Sequence, residues 1–346
     1  MSITYKTHRI CFKLLLALLA VFSISSCSTD PVIVKNQNIG AALGTSYSLI
    51  YLSNKELDYQ KEIDSVFTAV NKSLSTYIPD SDISRINMGD TTVVVDAMFK
   101  EVFKLSKNIA QKTNGYFDPT VGTLVNAWGF GPGKQIEMDS VKVDSLMQYV
   151  GLDKVGIDQS DRIVKKNPNI YFDFNAIAKG YAIDRLGTMF DKKGIEDYLL
   201  EVGGEIVAKG KNKLKAKPWL VAIDDPQMQS ERKAKKRIYI TDRALASSGN
   251  YRHFRVDSIT GKKHVHTVNP KTGFTKNSNV LGVTILADNC AVADGYATAF
   301  MAMDLDESIQ ILLNQKAVDA YIIYLDQNGE TKEFMTNGFE TLVVSE

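Results

Sequence analysis

Between residues 198 and 247 the chain leaves little room for crossover helices. Short apolar runs at 198–202, 205–208, 219–223, 237–241 and 245–247 follow one another, mostly across tight turns such as Gly203-Gly204. Parallel strands need a crossover of a dozen or more residues, so this spacing specifies antiparallel pairing and excludes repeated βαβ units. Runs at 264–268, 280–286, 320–324 and 341–345 extend the strand set. A first hairpin is expected where 39–43 and 47–52 flank Gly44-Thr45, and another where 162–164 and 170–172 flank Asn167-Pro168-Asn169.

Helical periodicity occupies the intervals. Within 54–74, Ile63, Val66, Phe67, Val70 and Leu74 share one face, which that helix must bury. Asp96 is a plausible N-cap for a second amphipathic helix with Phe99, Val102, Phe103, Ser106 and Ile109 inside, stopped by Asn114-Gly115. Further helices are expected at 139–151, 289–303 and 307–315. Helices grouped between antiparallel strands make the chain α+β.

The first residues follow a different logic. Lys6, Arg9 and Lys13 precede an apolar run at 14–22, and Ile24-Ser25-Ser26-Cys27 follows. A basic start, a short apolar core and small residues describe an export signal, too short for a comfortable membrane span. Ending on Cys27, it is similar to a bacterial lipobox, whose cysteine is acylated; plain secretion and an uncleaved anchor are the alternatives. Residues 1–26 then form the signal, 27–38 a tether and 39–346 a single domain. Cys11 leaves with the signal and acylation uses Cys27, so Cys290 is the last thiol, and the fold must rest on its core without an internal disulfide. The signal holds three of the 41 basic residues and no acidic one, so the remainder carries 38 against 40. That near-neutral balance gives no electrostatic footprint for nucleic acid.

The stretch Tyr171-Phe172-Asp173-Phe174-Asn175-Ala176-Ile177-Ala178-Lys179-Gly180-Tyr181-Ala182-Ile183-Asp184 sets the Asp173 carboxylate and the Lys179 ammonium among small residues, read as a strand, a turn at 175–177 and a helix. Asp173 can accept from hydroxyl or amino groups and Lys179 can face a phosphate; equally, they can be an acid near a helix start and a surface lysine. Downstream, Asp294 and Thr298 stand one helical turn apart. Both are hard oxygen donors of the kind Mg²⁺ prefers, with the Ala176 carbonyl as a possible third, or they are a cap and a solvent-facing hydroxyl. His266, at the end of a strand leading to Pro270 and Gly273, is either a base for an incoming hydroxyl or a structural histidine. The glycine- and aromatic-rich run from Tyr116 to Pro132 is either a ligand-shaped loop or an aromatic-capped core loop. Neither a Walker loop nor a dinucleotide fingerprint is present.

Taken in order, Gly44-Thr45, Ser75-Thr76-Tyr77, Ser84-Arg85-Ile86-Asn87, Phe117-Asp118-Pro119-Thr120-Val121-Gly122, Trp128-Gly129-Phe130-Gly131, Asp173 through Tyr181, Gly203-Gly204, Ser248-Gly249-Asn250-Tyr251, His266 through Gly273 and Ala293-Asp294 through Thr298 resemble the FAD:protein FMN transferase family, the ApbE lipoproteins. The resemblance covers nearly the whole chain beyond Cys27. It implies a pair of helix-backed antiparallel sheets, two intimately packed halves like the T-fold. It also implies an enzyme that uses FAD as substrate with Mg²⁺ and moves FMN onto a threonine of an acceptor protein bearing Asp-x-Ser/Thr-Gly/Ala-Ala-Thr, releasing AMP. Carried over residue by residue, Leu43, Tyr77, Tyr116, Phe117, Asp118, Asp173, Lys179 and Val268 look like FAD contacts. Ala176, Asp294 and Thr298 look like metal ligands, and His266 looks like the base. Cys27 would tie the chain to a membrane of the bacterial envelope, facing the periplasm. Water as acceptor would make the same site an FAD pyrophosphatase, and a site without turnover would make the chain a flavin-binding lipoprotein. Asn175, Asn269, Thr123, Leu43 and Ala297 depart from the residues commonest in the family.

Overall fold

The computed structural model describes residues 32–227, 233–249, 254–256, 263–276 and 278–344; Cys27 and its signal lie outside the described residues. Strands β1 (Val34–Ala42) and β2 (Thr45–Ser53) form the expected hairpin, followed by helices α1 (Gln60–Leu74), α2 (Asp82–Asn87), α3 (Ala97–Lys112), α4 (Gly122–Ala127) and α5 (Ser140–Met147). A small hairpin of β3 (Val155–Ile157) and β4 (Ile163–Lys165) precedes α6 (Asn175–Lys192). Then come β5 (Asp197–Val202), β6 (Glu205–Lys209), β7 (Trp219–Asp224), β8 (Ala234–Ile240), β9 (Arg243–Gly249), β10 (Phe254–Val256), β11 (Lys263–Val265) and β12 (Val280–Ala287). Helices α7 (Cys290–Ala302) and α8 (Leu305–Asn314), strands β13 (Asp319–Leu325) and β14 (Thr331–Met335) and a last turn α9 (Asn337–Glu340) complete the order.

Eight strands make one antiparallel sheet in the order β1-β2-β5-β6-β9-β12-β13-β14. The two expected halves therefore meet edge to edge, where Ile206 of β6 faces Leu245 of β9, rather than as two separate sheets. Alternation gives the sheet two apolar faces. Tyr47, Leu49, Tyr51, Leu200, Ala244, Ala246 and Ile285 pack under α1, α3, α6 and α7. Leu52, Ile206, Leu245, Leu286 and Tyr321 pack under the β7–β8 hairpin and Phe339 of α9.

Several sequence expectations move. The tether is shorter than 27–38, because β1 begins at Val34. Helix α1 starts at Gln60, not at 54, since the preceding segment is held by buried asparagines: Leu57 N donates to Asn36 Oδ1 (2.8 Å) and Asn38 Nδ2 to Asp58 Oδ1 (2.8 Å). The hairpin around Asn167-Pro168-Asn169 is absent; β4 pairs with β3, while Phe172 exchanges two hydrogen bonds with the Asn87 side chain, both 2.8 Å. Of the strand expected at 341–345, the described residues 341–344 make an isolated bridge, Val343 with Ile238, and the edge strand of the sheet is β14. Residues 175–177 form the first turn of α6, not a separate loop, and the strand expected at 264–268 ends at Val265.

Candidate active site

Helices α6 and α7 cross where a glycine lets backbones meet. A Cβ on Gly180 would stand 2.6 Å from the carbonyl carbon of Cys290 and 2.8 Å from the amide of Ala291. The crossing is fastened by Asp184, whose carboxylate accepts from Cys290 N (2.7 Å) and Ala291 N (2.8 Å), the unsatisfied amides at the start of α7. Asn289 caps the same helix through Val292 N (3.0 Å). One turn back along α6 and one turn on along α7, Gly180 N donates to Asp294 Oδ2 (3.2 Å). The helices thus run antiparallel here, carrying Thr298 toward Ala176. The Gly180 amide is also the one that helical geometry assigns to the Ala176 carbonyl, so that carbonyl and the Asp294 carboxylate lie beside a single N–H.

Lys179 reaches the first residue of β6, with its Nζ 2.5 Å from Glu205 Oε1. Glu205 is 2% exposed and Asp294 4%. Burial pushes the Glu205 carboxyl up to about 7 against the pull of Lys179, and burial likewise raises Asp294. For Lys179 burial works against the charge, yet Glu205 and Asp294 outweigh it and hold the ammonium up at about 12. Glu205 Oε2 is buried with no hydrogen-bond partner among the described residues. Two buried carboxylates against one ammonium, with an oxygen left unpartnered, are an environment that favours a further cation. Among the described residues no group of three or more His, Cys, Asp and Glu is placed to hold a metal. A divalent ion at Asp294 would draw on hydroxyl and carbonyl oxygens, and Thr298 and Ala176 are the ones this crossing supplies; that oxygen set fits Mg²⁺.

The loop carrying His266 is tied to the far end of α7: Asn269 Nδ2 donates to Ala302 O (3.3 Å), and Lys276 pairs with Asp304 at 2.6 Å. Trp128 Nε1 holds its other side through Gly273 O (2.9 Å). His266 itself is half-buried, immediately after β11.

Residues 43–322 match the family model described as "ApbE family". The chain belongs to the ApbE family. It is 31% identical to a Haemophilus influenzae protein named FAD:protein FMN transferase, across 92% of this chain and 94% of that one. Among solved structures it is similar to the flavin transferase ApbE from Vibrio cholerae, with TM-score 0.79 and 30% identity over 90% of this chain and 100% of that one. The ApbE protein from Thermotoga maritima gives TM-score 0.77 at 26% identity, covering 90% and 100%.

Around the crossing, other residues expected at an ApbE site fall into two groups. Leu43 occupies a left-handed backbone position (φ 51°) beside Gly44 (φ 73°), a two-residue turn that normally excludes a branched side chain. The β5–β6 turn lies alongside, with Gly203 N donating to Ser46 O (3.0 Å). Tyr77 is 60% exposed, and partial burial of its ring, with a smaller push from the Asp173 carboxylate, raises its phenol. Asp173 is buried, which raises its carboxyl, and accepts from Asn175 N (2.8 Å). Leu43 and Tyr77 thus have strain or exposed surface that a ligand can use.

The second group is occupied internally. Phe117 belongs to the main core and Val268 to a small cluster with Leu124 and Val150. The Asp118 carboxylate accepts from Thr120 N (2.8 Å), Thr120 Oγ1 (2.6 Å) and Leu152 N (3.1 Å), shaping its own loop. Tyr116 donates to Glu307 Oε2 (2.7 Å) while Lys271 sits 4.4 Å above its ring.

Sequence reasoning gave no role to Glu205, nor to Asp184, which closes the stretch that begins at Tyr171. Glu205 was visible only as a lone acid directly after Gly203-Gly204 in an otherwise apolar strand. Asp184 lies one turn beyond Gly180, the spacing that puts both on the face meeting α7.

Proposed function

We propose that this chain is a Mg²⁺-dependent flavin transferase that moves the FMN part of FAD onto a threonine hydroxyl of a partner protein, working in the bacterial envelope on an anchor at Cys27. The observation that carries this reading is the joint placement of Lys179, Glu205 and Asp294 at the α6–α7 crossing, beside Ala176 and Thr298. Lys179, fixed by Glu205, neutralises charge on the pyrophosphate, the main task in phosphoryl-group transfer. His266 takes the proton from the attacking hydroxyl. The new bond joins the threonine oxygen to the FMN phosphorus; the bond from that phosphorus to the bridging oxygen breaks, and AMP leaves with the electron pair. Mg²⁺, held by the Asp294 carboxylate, the Thr298 hydroxyl and the Ala176 carbonyl, would neutralise the phosphate oxygens when bound. The strained Leu43 turn and the exposed Tyr77 supply apolar and aromatic surface for a flat ring system.

The test is to incubate the chain from Ser28 with FAD, Mg²⁺ and an acceptor domain carrying Asp-x-Ser/Thr-Gly/Ala-Ala-Thr. Intact mass of the acceptor and released AMP are then read together. A gain of one FMN, lost with EDTA, supports the transferase. AMP without the gain would make the site a pyrophosphatase, and neither signal would reduce it to flavin binding.

A further inference from the structure

The strand register sets the two ends of the sheet apart. Across one end, Val34 pairs with Ser53, Leu52 with Asp197 and Tyr198 with Lys209. Across the other lie the β1–β2 turn, the β5–β6 turn and Glu205. Helix α6 runs from Asn175 at the site to Lys192 at the far end, a distance of about 25 Å at its rise per residue. The described fold therefore begins at the end opposite the site. Cys27 lies seven residues before Val34, a span of at most about 25 Å when fully extended.

That same end carries a basic loop. Lys211, Lys213, Lys215 and Lys217 alternate between β6 and β7 with no acid among them. The loop is closed on itself: Asn212 N donates to Lys217 O (2.9 Å), and Lys215 N and Lys217 N donate to Asn212 O (3.0 and 3.3 Å). Its tip, Lys213-Leu214-Lys215-Ala216, is exposed, with Leu214 at 52%. Nearby acids are engaged: Glu62 with Lys193 (2.5 Å), Asp191 with Lys209 (2.8 Å) and Asp197 with Lys213 (2.6 Å), and Asp242 accepts from Gly210 N (2.9 Å). Glu196 also faces Lys213. Lys211, Lys215 and Lys217 stand outside these pairs.

We propose that this loop docks on an anionic bilayer surface, so that the fold stands on its basic end with the catalytic end directed away from the lipid. The orientation rests on reading Cys27 as the anchor; the charge of the loop does not. A diacylglycerol on Cys27 carries two acyl chains and holds the chain at the bilayer by itself, so the basic patch would set which face of the fold meets the lipid rather than supply the anchoring. Each lysine held at an anionic surface strengthens binding about fivefold, and Leu214 adds an apolar side chain at headgroup level. An acceptor protein must then present its hydroxyl about 25 Å or more above the bilayer.

The chain from Ser28 onward contains the whole described fold and is mixed with vesicles of phosphatidylcholine alone or rich in phosphatidylglycerol. It is expected to sediment with the anionic vesicles only, and to be released by salt. The triple variant Lys211→Glu, Lys215→Glu, Lys217→Glu should bind on the order of a hundredfold more weakly, with its melting temperature and its transfer to a soluble acceptor unchanged. Equal binding to neutral vesicles, no binding, or a variant that binds like the parent would overturn the docking. For the full-length chain recovered from membranes, intact mass reads the anchor separately. A Cys27 without diacylglycerol would remove the anchor and the orientation built on it, while the vesicle comparison still decides the loop.

Discussion

Replacing Gly180 with alanine tests whether the α6–α7 crossing sets the site. The added Cβ would fall 2.6 Å from Cys290 C and 2.8 Å from Ala291 N, and closer still to the Cys290 carbonyl oxygen. All three are backbone atoms with no rotamer to give way, so α7 must retreat by roughly 1 Å to restore ordinary contact. Such overpacking costs about 1–3 kcal/mol, and lengthening the two Asp184 bonds to Cys290 and Ala291 adds about 1 kcal/mol. Alanine returns about 1 kcal/mol in helix propensity, leaving a net loss of about 1–3 kcal/mol. With an unfolding entropy of about 2.1 cal/mol/K per residue, that is about 1–4 °C in a chain of this size. The same displacement separates Asp294 from Lys179 and Ala176, and misplacement of about 1 Å at a reacting centre costs about a hundredfold in rate. Differential scanning fluorimetry and FMN transfer, measured on one preparation, should therefore show a small drop in melting temperature and a large drop in rate. A raised melting temperature with transfer intact would mean that only propensity had changed, and the reasoning would fail.

His266→Ala should leave FAD binding within about twofold, by fluorescence titration, and slow transfer by about 10²–10⁴; loss of binding instead would move His266 from proton transfer to ligand contact. Mg²⁺ added to the EDTA-treated chain should stabilise it by about 2.7 kcal/mol at a hundredfold excess over Kd. Asp294→Ala, which leaves Lys179 paired with Glu205, should abolish that shift in thermal melts. Asp90 is held down at about 2 by the Thr92 hydroxyl, the Thr92 amide and Arg85. A depressed carboxylate stabilises the fold above its unfolded pKa and loses that contribution as pH falls toward 2. The melting-temperature gap between the parent and Thr92→Val should accordingly open between pH 2 and 4 and stay constant above; a gap independent of pH would contradict the assignment.

Elements governed by local chemistry were legible in the sequence. Asp96 caps α3 through Phe99 N (2.8 Å), as its position before an amphipathic run required, and Gly44 marks the first hairpin. The α7 segment carried its own N-cap in Asn289. What failed was decided at long range. The aromatic run 170–174 has strand composition, but its backbone bonds to Asn87 and to Pro119 O instead, and Phe172 and Phe174 bury against Phe99. Edge strand β14, with Lys332 and Glu333 inside it, has the charged composition that edges favour and gives no alternating signal. At the site, Asp173, Lys179 and Asp294 could be found as charges among small residues. Glu205 could not be joined to them, because only β5–β6 pairing and the path of α6 bring it to Lys179.

The most direct test of the central claim is a tandem mass spectrum of the acceptor domain after incubation with FAD and Mg²⁺, run beside the Asp294→Ala variant. The expected result is FMN on the final threonine of the acceptor motif with the parent chain and an unmodified acceptor with the variant. Flavin on a different residue type, or equal labelling by the variant, would contradict the placement of transfer at the α6–α7 crossing.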